Sequence, residues 1–407
     1  MSQQCFDCAS GAPAMITVET EAKPVPKTLR ECFQDLRDPR VVGRSIHKLY
    51  DILAIVLAAT IAGCDDFVTM EDYARAKERW LRDRIGLELV GGIPSHDTLL
   101  RTMAAIRPDQ FHECFGRFVD LMVRVSPALK DKHIAIDGKA MRGSKKKLDP
   151  AHRMVHMVGA WSTEAGLALG QVKTEEKSNE ITAIPKLLEI LDISGALVTI
   201  DAAGCQKEIA ATIVEAKGDY LLQVKGNQER LHDDVQALAV AALEADVGEL
   251  DQTEDAPGKK KHGRTESRYC FVIDDPDRLK SAIRDFDLWK ELKSVVVTTC
   301  VREVEGKTSC ETRYHISSRK ATAAEFLKWG RRHWSIENEC HWVLDVAFRE
   351  DDHRLQDGHA AANLSMVRRM ALSMLKKMTV KLGMKNKRLK ASYDNSFAEQ
   401  VFAAFSD

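Results

Sequence analysis

From Lys132 to Ala245 the chain reads as three extended segments in a row, then as strands alternating with helices, and that order limits the folds open to it. HIAIDGK (133–139) is a short apolar strand ending on an aspartate. Segments 154–162 and 167–174 are extended and separated by Glu164-Ala165-Gly166, a turn signal. NEITAIPKLLEILD (179–192) has helical spacing, and ALVTIDA (196–202) is a continuous apolar run that suits a strand buried on both faces. Residues 206–216 are helical up to the stop at Gly218, 220–226 form a strand, and 228–245 form a helix. A β-α-β-α-β unit requires parallel strands with right-handed crossovers. Three leading strands add an antiparallel edge. The expected class is α/β, a mixed sheet flanked by helices.

Other segments surround this core. Residues 1–27 carry few periodic signals and are expected to be disordered. From 28 to 130 the periodicity is helical, with candidates at 28–36, 45–62, 69–85, 96–106 and 108–125, giving an all-helical N-terminal domain. Ser95 after Pro94 is a helix-start signal. PSHDTLLRTM offers His96, Thr98 and Arg101 as groove residues of a recognition helix, although an ordinary capped helix explains the same string. The core's first part spans 131–246. Polar residues 251–264 and strands 267–273, 294–304 and 308–317, with a short helix after the first, make a β-rich insertion over 247–320. The core resumes over 321–380. Residues 381–407 are read as a basic tail, since no acid occurs from Gly358 through Tyr393.

The stretch from Ala321 to Asp352 has no proline and one glycine, Gly330. Read as one helix at about 100° per residue, it puts Phe326, Gly330, His333, Trp334, His341, Leu344 and Phe348 on the side of Glu337. A carboxylate in a mostly apolar face is costly unless it is paired, protonated or bound to a metal. Asp137 and Asp201 end strands one and four, which the crossover can place side by side, and carboxylates there face the crevice where open sheets bind ligands. With Glu337 they make a three-carboxylate cluster. Like charges so close need a cation, and hard oxygen donors favour Mg²⁺ or Mn²⁺. The chemistry that uses such a cluster is phosphoryl transfer with two metals roughly 4 Å apart. Each aspartate alone is more often a turn or helix-start residue; the order Asp, Asp, Glu carries the signal. Asp345, Glu350 and Asp351 are the other choices for the third acid, Asp345 lying about 80° round the helix from Glu337. His333 and His341 bracket Glu337 at a spacing that also suits zinc.

Composition removes other classes. With 60 basic and 61 acidic residues the chain has net charge −1, so any surface for nucleic acid must be local. Ten cysteines lack the spacing of a disulfide framework and, with no signal peptide, read as free thiols in a reducing cytosol. Cys5 and Cys8 form a CxxC without a second pair, which is weak for zinc. The longest apolar run, 52–64, is too short to span a bilayer.

The strings AIDGKAMRGS, EKSNEITAIPKLL, TIDAAGCQ, DYLLQVKGNQ and RRHWSIENECHWVLDVAFRED resemble the ISAs-type insertion-sequence transposases, the branch that includes H-repeat-associated proteins, within the DDE superfamily. GGIPSHDTLLR resembles the helical domain that precedes the core there, and the likeness runs from about residue 28 to 378. It implies a ribonuclease-H-like fold. Residue by residue it implies that Asp137, Asp201 and Glu337 are catalytic and hold two Mg²⁺ ions, with Mn²⁺ able to substitute. The implied activity is Mg-dependent cleavage and strand transfer at the terminal inverted repeats of an insertion sequence. The implied partners are double-stranded DNA at the element ends and at the target, and a second copy when two ends are brought together. The implied location is cytoplasmic and nucleoid-associated, with no membrane. Related transposases carry a Tyr-Arg-Glu-Lys signature; those positions here read Gly330, His333, Glu337 and Leu344. Arg331, Arg332, His333 and His341 are therefore the candidates for DNA contact on this segment. Lys139, Arg142 and Lys145 to Lys147, just after the first aspartate, are candidates for phosphate. The 136 residues from Asp201 to Glu337 hold the β-rich insertion, as in transposases that make a hairpin intermediate. Two alternatives are a catalytically silent DNA-binding remnant of an element, and a metal-dependent nuclease without strand transfer.

Overall fold

A computed structural model of the chain describes residues 27–41, 43, 45–124, 132–144, 154–174, 180–245, 250–255, 264–355 and 359–403. Residues 1–26, Lys145 to Lys147 and the basic run 259–263 lie outside these. Within them, β1 (His133–Met141), β2 (Val155–Ser162) and β3 (Leu167–Lys173) come first. Next come α7 (Glu180–Glu189), β4 (Leu197–Ile200), α8 (Lys207–Glu215), β5 (Asp219–Val224) and α9 (Glu229–Ala245). Pairing is antiparallel for β1 with β2 and β2 with β3, and parallel for β1 with β4 and β4 with β5. The β-β-β-α-β-α-β order of the sequence is the order of the fold. Every residue of β4, LVTI, is buried, as its unbroken apolar run requires.

The insertion does not fold apart from the sheet. β6 (Asp251–Asp255), β7 (Arg264–Ile273), β8 (Ser294–Val304) and β9 (Lys307–Ser317) pair in sequence, α10 (Pro276–Ala282) follows β7, and β9 pairs with β5. One sheet results, in the order β3-β2-β1-β4-β5-β9-β8-β7-β6. β6 was not legible in the sequence. Its residues DQTED lie on an edge that water covers, so charge replaces the apolar alternation of an inner strand.

Alternation along β1 sends Ile134 and Ile136 to one face of the sheet and Ala135 to the other. On the first face α7, α8 and α9 close a core with Leu187, Ile209 and Val235. On the second face lie α11 (Ala323–His333), α12 (Trp342–Phe348) and α13 (Ala360–Lys377). The N-terminal helices are α1 (Leu29–Cys32), α2 (Leu49–Ile61), α3 (Phe67–Ala76), α4 (Glu78–Asp83), α5 (His96–Ala105) and α6 (Pro108–Arg124). The helix expected over 69–85 divides at Lys77 into α3 and α4. These helices share one continuous core with Ala135 and Trp161 of the sheet and Leu364 and Leu372 of α13. Asn363 of α13 donates to the carbonyls of Met103 (2.8 Å) and Ile106 (2.9 Å) at the end of α5.

The stretch read as a basic tail is folded: α14 (Met384–Tyr393) and α15 (Asn395–Ala403) pack on the same core. Its basic residues cap other helices. Arg388 donates to the carbonyl of Thr60 at the end of α2 and to Asp65 at 2.8 Å. Lys387 donates to the carbonyls of Leu375 (3.0 Å) and Met378 (2.7 Å) at the end of α13. Helix ends leave such carbonyls without intrahelical donors. Among the described residues no helix is long and apolar enough to cross a membrane.

Candidate active site

The β1–β4 pairing ends at Ile136 opposite Ile200, so Asp137 and Asp201 follow adjacent paired residues. Asp201 leaves the sheet there. Its carboxylate caps the 3-10 turn Ala202–Gly204, accepting from the Ala203 N–H at 3.1 Å. Asp137 is not strand-final, as the sequence suggested. β1 continues to Met141 because β2 still pairs with it, Asp137 opposite Gly159.

The long segment that carries Glu337 is not one helix. α11 starts at a capping box of Thr322 with Glu325 and ends at His333. Ile336–His341 is a π-helical turn, α12 follows, and Arg349 takes a left-handed conformation (φ 49°) before the 3-10 turn Glu350–Asp352. A π turn inserts residue relative to a uniform 100° wheel, and such turns cluster at functional sites. The buried line is therefore Ile336, Cys340, Leu344, Ala347 and Phe348, not the face centred on Glu337. Trp334, placed in the apolar face by the wheel, is 41% exposed. Glu337 stands exposed at the margin of that line. Partial burial and the nearby Asp137 both push its carboxyl above the usual range, while His341 opposes them. His341 is buried, with Nδ1 3.4 Å from Asp137 Oδ2.

His333 is half-buried, with its ring on Thr199. A hydrogen-bonded chain runs from Glu164 Oε2 to Thr163 Oγ1 (2.9 Å) and His133 Nδ1 (2.9 Å). It continues from His133 Nε2 to Thr199 Oγ1 (2.9 Å) and from there to His333 Nδ1 (2.9 Å). Each hydroxyl has one proton to give. Thr163 gives its proton to Glu164, so His133 donates from Nδ1 and accepts at Nε2 from Thr199. Thr199 then accepts from Nδ1–H of His333. Burial holds His133 down to about 3, so its ring is neutral as this chain needs. Burial also lowers His333, against Asp137 and Asp201. His333 thus ties the end of α11 to β4, two residues before Asp201. His333 bonds Thr199 through Nδ1, while His341 sets its Nδ1 beside Asp137.

Lys139 is no surface phosphate ligand in this structure. Its side chain is 6% exposed, and its ammonium pairs with Asp345, with Asp351 at 3.5 Å and with Glu350 at 3.7 Å. Glu350 is fully buried and also meets Arg369 (3.4 Å) and Ser365 (2.8 Å). Asp345, the rival third acid, is thereby committed to Lys139. Arg142 is 82% exposed, 3.6 Å from Asp351. Arg331 pairs with Asp255 and Arg332 with Glu164, both on the surface of α11.

Residues 128–374 match the family model described as "Transposase DDE domain", and residues 30–119 match "DDE_Tnp_1-associated". The chain belongs to the DDE transposase family. It is 39% identical over 387 residues to "Putative transposase YncI" of Escherichia coli O157:H7, covering 94% of this chain and 96% of that protein. It is 39% identical over 384 residues to "H repeat-associated putative transposase YhhI" of Escherichia coli strain K12, covering 93% of this chain and 98% of that one. Among solved structures, the synaptic complex of piggyBac transposase with hairpin DNA aligns at TM-score 0.46 and 10% identity, over 92% of this chain and 77% of that chain.

The charge balance of this DDE transposase separates two acidic groups. Asp345, Glu350 and Asp351 have Lys139 and Arg369 among them. Asp137, Asp201 and Glu337 have no lysine or arginine partner among the described residues; their polar contacts are His341 and the Ala203 N–H. A fourth acid, Glu180 at the start of α7, has Asp201 and Asp137 as charged neighbours. Partial burial raises its carboxyl, followed by Asp201 and Asp137. Sequence reading passed over Glu180; a glycine directly after Asp137 was the available signal. The oxygen donors suit a hard divalent cation in kind and in charge. As they stand they form an open set, and among the described residues no group of three or more His, Cys, Asp or Glu already encloses an ion position.

Proposed function

We propose that this DDE transposase cuts DNA at the terminal inverted repeats of its element and joins the freed 3′-hydroxyls to target DNA. Asp137, Asp201 and Glu337 are the catalytic acids. What supports this reading is that Asp137 and Asp201 follow paired residues of β1 and β4, that Glu337 on the π turn has Asp137 as its charged neighbour, and that none of the three has a lysine or arginine partner among the described residues, in a chain of this family. Their task is to hold two Mg²⁺ ions, for which Mn²⁺ can substitute. Bound there, the ions would activate the attacking oxygen and stabilise the leaving one. His341 orients the Asp137 carboxylate, and His333 fixes α11 to the strand that leads to Asp201. In such chemistry the protein positions groups and balances charge, so few other catalytic groups are needed.

Double-stranded DNA is the proposed partner. Arg142, Arg331 and Arg332 are the exposed cations near the acids that can exchange their carboxylate partners for phosphates. The exposed side of α5, with His96 and Arg101, is the proposed reader of the element ends, and two copies pair when two ends are brought together. The test is a cleavage and joining assay on a labelled end fragment with Mg²⁺, comparing wild type with Glu337→Ala. Metal-dependent cutting and joining, lost in the variant, is the expected result. Cutting without joined product would identify a nuclease, and specific binding without cutting in either protein would identify a silent remnant.

A further inference from the structure

Gly138 follows Asp137 on β1, and alternation points it to the opposite face of the sheet, toward α7. A Cβ placed there would lie 1.9 Å from Glu180 Oε1, 2.3 Å from its Cδ and 2.9 Å from Oε2. The Glu180 carboxyl thus occupies the space that any other residue at 138 would fill. α7 is held by Ile184, Leu187 and Leu188 in the core of that face, which fixes where its first residue lies. An acid in the first turn of a helix is favourable against the dipole. That benefit would be met equally by a carboxylate turned to water. Glu180 is instead half-buried against the strand, with Asp137 and Asp201 as its charged neighbours and no hydrogen-bond or ion-pair partner among the described residues.

We propose that Glu180 is a fourth carboxylate of the cation site, reaching Asp137 and Asp201 from the other face of the sheet through the gap left by Gly138. This rests on the three-acid reading above. β1 then contributes both an acid, Asp137, and the opening beside it. Glu180 acts on metal occupancy, so its loss weakens cation binding before any DNA is present.

The experiment titrates Mn²⁺ alone into the full chain by electron paramagnetic resonance, without DNA, and records chemical unfolding of the same metal-free samples. Wild type is expected to bind and Asp137→Asn to lose most binding. Glu180→Gln should weaken Mn²⁺ binding by about tenfold, the scale of a supporting ligand, while the metal-free protein unfolds no earlier than wild type. Gly138→Ala should weaken binding similarly by displacing Glu180. If Gly138→Ala fails to fold, Glu180→Asp decides, with weakened Mn²⁺ binding expected. Wild-type Mn²⁺ affinity in Glu180→Gln, with binding lost in Asp137→Asn, overturns the role of Glu180 and leaves the three-acid site standing. Equal binding by wild type and Asp137→Asn overturns both.

Discussion

Replacing Lys139 with methionine keeps the apolar stem and removes only the ammonium. In the structure that ammonium is 6% exposed and faces Asp345, Asp351 and Glu350, whose side chains are 33%, 23% and 0% exposed. Removing one partner of a buried ion pair costs about 3–5 kcal/mol, because the remaining charge stays desolvated. Asp345 and Asp351 can still reach water, and Glu350 keeps Arg369 and Ser365. The expected loss is therefore at the lower end, about 3 kcal/mol, or a factor of about 150 in the folded-to-unfolded ratio at 25 °C. Urea unfolding of the full chain measures it, with binding to a non-specific duplex measured in parallel. The sequence places Lys139 on DNA phosphate; the fold places it under the segment that follows Glu337. A variant that unfolds within about 0.5 kcal/mol of wild type but loses duplex affinity would refute the buried role and restore the phosphate one.

Three other outcomes follow from the structure. Glu337→Ala should stop cleavage with the fold intact, whereas Asp345→Ala should still cut; the reverse pattern would make Asp345 the third acid. Deleting the residues before Lys132 should give an insoluble or unfolded product, because those helices share a core with the sheet and α13, and a soluble fragment with native circular dichroism would contradict that shared core. Burial holds His133 and His315 down to about 3. Below about 6.5 the unfolded chain takes up protons that these buried rings refuse, so their contribution is complete above that pH and is lost as pH falls toward 3. Urea midpoints should fall through that window in wild type and fall less in a His133→Asn, His315→Gln double variant; an equal fall in both would remove the assignment.

The succession of strands and helices was legible because burial writes itself as apolar runs: LVTI for an inner strand, TAIPKLL for a helix on its face. Asp137 and Asp201 drew attention for a related reason, since a charge that ends an apolar run stands out; Glu337 was put in an apolar face by a uniform wheel, and it is exposed. What escaped depends on partners distant in sequence. The DQTED edge strand has no apolar pattern to read. The π turn shifts the buried line by one position, which a uniform wheel cannot register. Lys139, Arg388 and Lys387 look like surface cations until Asp345, Thr60 and Leu375 are brought to them. Glu180 stands out only once Gly138 lies beneath it.

The bond between Asp65 and Arg388 spans 323 positions and helps close the core that holds the N-terminal helices. On a ribosome adding about 5–20 residues per second, the two partners emerge on the order of 15 to 65 s apart. Through that interval α2, apolar on every side, waits for α13 and α14 to cover it. The polypeptide reaches this packed shape only once α14 has been made, and products cut short before it by a frameshift or an early stop would emerge with that apolar surface bare, open to chaperones and proteases.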